Sequence, residues 1–152
     1  TRTLVIGPAF WNGFDYLARL ELPEAERNLI VTVHYYHPMP FTHQGASWSA
    51  ENRHLSGIRW LGTQAEAARI RDDMAQVQAW AEAHERPIYL GEFGAYDKAD
   101  MESRARYTHA MARTAESLGW SWGYWQFDSD FIVYDIERDG WVDPIRNALI
   151  PG

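Results

Sequence analysis

The sequence has 152 residues, 46% hydrophobic and 23% charged, which is enough for one globular domain with a core and excludes a disordered chain. Its formal net charge of −7 offers no basic surface, so we do not expect nucleic acid as a partner. It contains no cysteine and no apolar run near the roughly 20 residues that cross a bilayer, so we expect no disulfide, thiolate metal site or membrane partner. We predict a single domain over residues 1–152.

The first part of the chain predicts two strands and a long loop. Thr3 to Gly7 is a short apolar and β-branched run closed by Gly-Pro, which indicates a strand followed by a loop. A short helix is expected from about Phe14 to Leu20. Asn28 to His34 is the strongest strand signal in the chain. From Met39 to Gly62 no periodicity is present, and ordered loops of this length are usually functional.

The second part continues the alternation of helices and strands. Thr63 and Glu66 form a capping box that opens a helix to about residue 84. The apolar run 87–90 predicts a third strand. Asp100 is placed to cap the next helix, and Gly119 is a suitable residue to end it.

The last predicted elements are an aromatic strand from Trp120 to Phe127 and a short helix from about Asp143 to Leu149. The chain therefore repeats a strand-loop-helix unit four times. This order predicts a parallel sheet with helices outside. Polar and aromatic residues follow each strand, which indicates a functional rim where the strands end.

Glu92 stands where the third strand stops, between Gly91 and Gly94. From these residues alone, a carboxylate in a ligand crevice and a glutamate that caps a loop are equally good interpretations. The composition adds 8 Trp, 8 Tyr and 6 Phe, several of them in segments that look like loops. Exposed aromatic faces suit sugar rings, but they also suit proteins and bases.

Motifs after the four strands together resemble glycoside hydrolase family five, in its cellulase-type branch of retaining β-glycosidases on (β/α)8 barrels. The resemblance covers the whole chain, as strands five to eight of the barrel. His34-Tyr35-Tyr36 is similar to the signature at the end of strand six. Glu92, within Leu-Gly-Glu-Phe-Gly, is similar to the motif of strand seven. Trp125 matches the stacking tryptophan after strand eight, and Trp11 is a candidate aromatic after strand five.

The resemblance implies a fold and a site. The fold is α/β, half of a TIM barrel with four parallel strands and outer helices. Glu92 is the implied nucleophile, and His34 and Tyr36 orient it or bind substrate. The implied substrate-binding residues are Trp11, Asn12, Phe93 and Trp125. The resemblance implies no cofactor, and the histidine and aspartate spacings match no compact metal site.

A retaining glycosidase needs a second carboxyl group about 5–5.5 Å from the nucleophile. In the resembled family this acid/base glutamate follows strand four in an Asn-Glu-Pro motif, which this sequence lacks. A four-stranded sheet also cannot close into a barrel alone. We therefore expect a partner: either the N-terminal half-barrel of the same enzyme or a second copy of this chain.

The predicted function is half of a retaining endo-β-1,4-glucanase that hydrolyses β-glucan oligosaccharides or polysaccharides. One alternative is an inactive half-barrel that binds carbohydrate or assembles with itself. Another is a mannanase or xyloglucanase of the same family, with selectivity in the segment from Met39 to Gly62. The resemblance further implies a secreted or extracellular protein.

Overall fold

The computed structural model describes residues 2–152 and contains one four-stranded parallel sheet. Its strands are β1 (Leu4–Ile6), β2 (Leu29–Tyr35), β3 (Ile88–Phe93) and β4 (Ser121–Trp122). They pair in the order β1-β2-β3-β4, and all three pairings are parallel. The predicted strand-helix alternation with a parallel sheet is confirmed.

Helical segments connect the strands and cover the sheet. They are α1 (Ala9–Asn12), a 3₁₀ helix (Phe14–Arg19), α2 (Met39–Thr42), α3 (Gln64–His84), α4 (Met101–Ser117) and α5 (Asp143–Leu149). α4 packs against both α3 and α5. Within residues 2–152, no helix has the length and apolar character that crossing a bilayer requires.

The signals that begin and end the two long helices are confirmed. Thr63 Oγ1 accepts a hydrogen bond from the Glu66 backbone N–H, and the Glu66 carboxylate accepts one from the Thr63 N–H, which completes the capping box. The Asp100 carboxylate accepts from the Ser103 N–H at the start of α4. Gly119 follows α4 with a φ of 74°, a backbone conformation that favours glycine.

The core lies between the sheet and the helices. Alternate residues of β2 and β3, including Val31, Val33 and Leu90, are fully buried and share one cluster with Met74 of α3 and Met111 of α4. The residues between them in each strand point to the other face, as the two-residue period of a strand requires. That second face carries His34 and Glu92.

A register shift at the end of β3 places Glu92 beside His34. Val33 pairs with Leu90, but His34 pairs with Glu92, so Gly91 is the extra residue in β3. A side-chain carbon at position 91 would lie 2.3 Å from Thr32 Oγ1, so only glycine fits there without displacing its neighbour. The glycine that the sequence places before the carboxylate therefore leaves room for the side chains of Thr32 and His34 on β2.

The fourth strand is shorter than predicted. Only Ser121 and Trp122 have regular strand pairing, although the chain stays beside β3 as far as Trp125. Two backbone hydrogen bonds show this, from Gly123 N–H to the Leu90 carbonyl (2.8 Å) and from Trp125 N–H to the Phe93 carbonyl (3.0 Å). A side-chain carbon at Gly123 would lie 2.4 Å from Tyr89 Oη, and this close approach accompanies the break in the regular ladder.

Two further features differ from the sequence prediction. The helix expected over 14–20 is a 3₁₀ helix, Phe14–Arg19. An antiparallel hairpin between β5 (Tyr134–Asp135) and β6 (Gly140–Trp141), which precedes α5, is also absent from the elements predicted from the sequence. Its strands have two residues each, too short for a two-residue alternation to be read in the sequence.

The segment that lacks periodicity is ordered by one buried glutamine. Gln44 Nε2 donates to the carbonyls of Phe41 and Ile58, and Gln44 Oε1 accepts from the Ile58 N–H. The buried ring of Trp60 joins the main core from the same segment. This loop is therefore a fixed part of the rim above β2.

Candidate active site

A cleft of about 800 Å³ contains His34 and Glu92, from the ends of β2 and β3, together with loops that follow the strands. Aromatic side chains supply much of its wall: Phe10, Trp11, Phe14, Tyr16, Tyr36, Trp48, Trp125 and Phe131. Trp11 is 86% exposed and Trp125 is 40% exposed, so both present apolar faces to solvent in the cleft. The cleft therefore combines a half-buried carboxylate with flat apolar surfaces.

Two hydrogen-bond donors approach the same oxygen of Glu92. Tyr36 Oη donates to Oε2 at 2.9 Å, and His34 Nδ1 lies 3.2 Å from that oxygen. Within residues 2–152, Oε1 has no hydrogen-bond partner. One oxygen of the carboxylate is therefore held, and the other is free to meet a ligand.

The environment of Glu92 favours its ionised form. Burial raises the pKa of Glu92, but the hydrogen bonds from His34 and Tyr36 lower it, and the net effect is a pKa below the usual value. Conversely, burial and the Glu92 carboxylate raise the pKa of Tyr36 far above that of a free phenol. Tyr36 therefore stays protonated and continues to donate to Glu92.

His43, which is not among the site residues predicted from the sequence, lines the cleft on the side of Tyr36. Its ring meets Tyr36 edge to face, with 5.0 Å between centroids, and its Nδ1 lies 2.9 Å from Thr42 Oγ1. Burial lowers the pKa of His43 to about 4, so it is neutral near pH 7. The available signal was its place in the unpatterned loop after β2, which also carries Trp48.

The cleft contains other carboxylates besides Glu92. Asp15 and Asp130 line it, and Asp15 Oδ2 lies 3.5 Å from His37 Nε2. Glu92 is the only glutamate in the cleft wall formed by the described residues. No group of three or more His, Asp or Glu side chains in residues 2–152 could hold a metal ion.

The structure brings together most of the predicted site residues. His34 and Tyr36 both contact Glu92, and Trp11 and Trp125 line the same cleft. Asn12 does not line the cleft; it lies behind His34, with its amide nitrogen 3.2 Å from His34 Nε2.

The prediction that Phe93 contacts substrate is wrong. Its side chain is fully buried in the core, where its ring meets Trp122 and Tyr124 edge to face. The reason is the alternation of a strand, since Phe93 follows Glu92 and must point to the opposite face of the sheet.

The chain is similar to a cellulase family and to known endoglucanases. The model of the family described as Cellulase (glycosyl hydrolase family 5) matches residues 1–130. Endoglucanase H of Acetivibrio thermocellus is 29% identical over 159 residues, an alignment that covers 100% of this chain and 16% of that protein.

Solved structures of endoglucanases are also similar to this chain, at higher sequence identity. An endoglucanase superposes with a TM-score of 0.95 and 38% identity, covering 100% of this chain and 48% of the other. Cel5A of Thermotoga maritima, in structures with cellobiose and with mannotriose, superposes with a TM-score of 0.94 and 42% identity. That match covers 97% of this chain and 48% of Cel5A, so the chain spans about half the length of these structures.

Proposed function

The chain belongs to the cellulase family, glycosyl hydrolase family 5, and its fold is half of that family's (β/α)8 barrel, so we propose that it carries the nucleophile half of a retaining β-glucan hydrolase. Glu92 is the proposed nucleophile. The substrate is a β-1,4-glucan whose sugar rings lie on Trp11 and Trp125. Such a polymer is found outside cells, so we propose that the protein acts there.

The observation that carries this proposal is the one-sided hydrogen bonding of Glu92. Tyr36 and His34 hold Oε2, and the pKa of the carboxyl group is below its usual value, so the group is ionised with Oε1 free. A nucleophilic carboxylate needs this combination of charge, fixed orientation and one open oxygen. A glutamate that only capped a loop would have its oxygens on backbone N–H groups instead.

In the proposed reaction, Oε1 of Glu92 attacks the anomeric carbon from the face opposite the leaving sugar. A bond forms between Oε1 and that carbon, and the glycosidic C–O bond breaks with its electron pair on the leaving oxygen. The leaving oxygen takes a proton from the acid/base group, and water later releases the glycosyl group from Glu92. Tyr36 and His34 keep their hydrogen bonds to Oε2 throughout.

The acid/base carboxyl group comes, in this proposal, from the N-terminal half of the barrel. Glu92 is the only glutamate in the cleft wall formed by residues 2–152. No second carboxylate among these residues accepts a hydrogen bond from Tyr36 Oη or lies against His34 Nδ1. A retaining mechanism requires the second group about 5–5.5 Å away, on the other side of the scissile bond. The complete cleft would therefore form between this chain and that half.

A glycoside with a good leaving group tests the nucleophile without the acid. A 2,4-dinitrophenolate leaves without protonation, and fluorine at C2 slows the release of the glycosyl group from the enzyme. We expect 2,4-dinitrophenyl 2-deoxy-2-fluoro-β-cellobioside to label this chain once, on the peptide that contains Glu92. Intact-protein and peptide mass spectrometry measure the label.

Glu92→Gln is the matched variant, because it keeps the size of the side chain and removes the charge. It should take up no label, while Asp130→Asn, which alters another carboxylate of the cleft, should label at the normal rate. Labelling at a residue other than Glu92, or equal labelling of Glu92→Gln, would contradict the proposal. No labelling at all with retained binding of cello-oligosaccharides would favour the inactive carbohydrate-binding alternative.

A mannan-directed activity is the second candidate. The specific observation is that Cel5A, at 42% identity, is described in structures with both cellobiose and mannotriose. The labelling rates of fluoro-cellobioside and fluoro-mannobioside reagents distinguish the two: a ratio near one indicates dual specificity, and a large ratio indicates one preferred sugar.

A further inference from the structure

The imidazole of His34 lies between two polar groups with opposite hydrogen-bonding requirements. Its Nδ1 lies 3.2 Å from Glu92 Oε2, and its Nε2 lies 3.2 Å from Asn12 Nδ2. An amide nitrogen only donates hydrogen bonds, and an ionised carboxylate only accepts them. One neutral form of the ring satisfies both neighbours: Nε2 accepts from Asn12, and Nδ1–H donates to Glu92.

With a neutral ring on His34, the reverse orientation of the Asn12 amide conflicts with Glu92. An amide oxygen against Nε2 would require hydrogen on that nitrogen, and the neutral ring would then turn a lone pair toward the carboxylate. In the observed orientation the oxygen lies over Gly7, where a side-chain carbon would come within 2.4 Å of it. Glycine at position 7 therefore leaves space for the Asn12 amide.

The backbone that carries Asn12 to His34 has an unusual left-handed conformation. Phe10, Trp11 and Asn12 have φ values of 56°, 55° and 58°, three consecutive left-handed residues without a glycine. Each costs roughly 1–2 kcal/mol for an ordinary residue and less for asparagine. Trp11 and Gly13 line the cleft, but Asn12 between them does not. Gly13 also forms a parallel bridge with His34, which ties this turn to β2.

We propose that Asn12 is a positioning residue that fixes His34 as the neutral tautomer with hydrogen on Nδ1. The donor from His34 is then always directed at Oε2 of Glu92, beside the donor from Tyr36. The catalytic consequence, that Oε1 stays free for attack, rests on the proposed function of Glu92. The tautomer itself is a property of the unliganded chain.

Nuclear magnetic resonance of the full chain tests the tautomer directly. Long-range ¹H–¹⁵N correlations of the imidazole rings identify which nitrogen carries hydrogen, and loss of one ring's signals in His34→Gln assigns the ring of His34. At pH 7, without ligand, we expect a protonated Nδ1 and an unprotonated Nε2. A protonated Nε2 in the unaltered chain would overturn the proposal, and that measurement depends on no variant.

Asn12→Asp gives the sharper test. It replaces the donating amide by a group of the same shape that only accepts, so His34 would lie between two carboxylates. We expect the ring to carry hydrogen on both nitrogens at pH 7. Asn12→Ala should give a mixture of the two neutral tautomers. Asn147→Asp, on the exposed side of α5, adds the same charge elsewhere and should leave the ring of His34 unchanged.

An unchanged ring in Asn12→Asp or Asn12→Ala, with a folded amide spectrum, would show that Asn12 does not control the tautomer. If Asn12→Asp does not fold, the unaltered chain and Asn12→Ala still decide the question. Failure of the Glu92 labelling experiment would remove the catalytic consequence and leave the tautomer result standing. The two proposals can therefore fail separately.

Discussion

At Glu92, burial and hydrogen bonding act in opposite directions on the charge of one carboxylate. Burial raises the pKa of Glu92, and the donors from His34 and Tyr36 lower it by more. The ionised state therefore depends on these two contacts. Removing one of them should change the pH at which the group ionises, as well as its orientation.

Tyr36→Phe removes one donor and keeps the ring. The pKa of Glu92 should rise, because burial is then opposed by His34 alone, and the acid limb of the labelling reaction should move to higher pH. At pH 7 we expect labelling to slow about 10- to 100-fold, the range for loss of a hydrogen bond to a charged group. Rates of fluoro-cellobioside labelling between pH 4 and pH 8 measure both effects. A slower rate with an unmoved acid limb would mean that Tyr36 only orients the carboxylate.

His43 should make the stability of the fold depend on pH. Burial lowers its pKa to about 4 in the folded chain, whereas the unfolded chain has the ordinary value near 6.5. The unfolded state therefore binds the proton first, and stability is lost as the pH falls from about 6.5 toward 4. Allowing for partial exposure of the ring, this contribution is about 1–2 kcal/mol.

Urea unfolding at pH 7, 5.5 and 4.5 measures this contribution. His43→Gln should lose less free energy of unfolding over that interval than the unaltered chain. His109→Gln, which removes an exposed histidine of α4, should keep the full pH dependence. Identical pH dependence in the unaltered chain and His43→Gln would mean that His43 is accessible to protons in the folded state.

At the scale of secondary structure, the sequence predicted the elements whose signals are local. The capping box at Thr63, the cap at Asp100 and the glycine after α4 all appear in the structure where the sequence places them. Glu92 was located at the end of a strand for the same reason, since a buried run and a glycine precede it. These features depend on neighbouring residues alone.

What the sequence did not predict depends on contacts between distant residues. The register shift at Gly91 follows from Thr32, which lies 59 positions away along the chain and has no local signature. β4 ends at Trp122, just before Gly123 lies against the hydroxyl group of Tyr89, a contact that no local pattern indicates. Phe93 differs from these cases, because the two-residue alternation of the strand already directs its side chain away from the face of Glu92 and into the core.

Gly91→Ala tests the role of the register shift. The added carbon would lie 2.3 Å from Thr32 Oγ1, so the Thr32 side chain or the two strands must move, at a cost of about 1–3 kcal/mol in unfolding free energy. Combining it with Thr32→Ala should recover part of this loss. Gly140→Ala, where the nearest atom is 3.8 Å away, should change stability little. Equal stability of Gly91→Ala and Gly140→Ala, measured by urea unfolding, would show that the strands adapt without cost.

The four-stranded sheet of this chain has two open edges. β1 and β4 each have one neighbour, and Leu4, Val5 and Ile6 of β1 are 58%, 57% and 40% exposed. Exposed apolar strands with free backbone groups promote pairing with another chain. The proposed N-terminal half would cover these edges in a complete barrel, and a second copy of this chain would be the substitute when that half is absent.

We expect the purified chain to form a dimer of about twice its 17.6 kDa mass, measured by light scattering after size exclusion. Val5→Lys places a charge on the exposed edge of β1 and should give the monomer. Thr3→Lys, a matched charge just before the strand, should remain dimeric. A monomeric unaltered chain, or a dimer that survives Val5→Lys, would mean that the edge of β1 does not mediate association.

Such a dimer should not hydrolyse soluble cellulose at the rate of a complete enzyme. Glu92 lies on the third of four strands, so two copies would place their carboxylates on the third and seventh strands of an eight-stranded assembly, on opposite sides of it. A retaining mechanism needs the two groups about 5–5.5 Å apart, flanking one glycosidic bond.

Reducing-sugar release should therefore be near background for the chain alone, although labelling by the activated fluoro-cellobioside persists. Addition of a matching N-terminal (β/α)4 half should restore hydrolysis, because that half is the proposed source of the acid at the required distance. Hydrolysis by the chain alone at full rate would mean that a carboxylate already in the cleft, such as Asp15 or Asp130, acts as the acid.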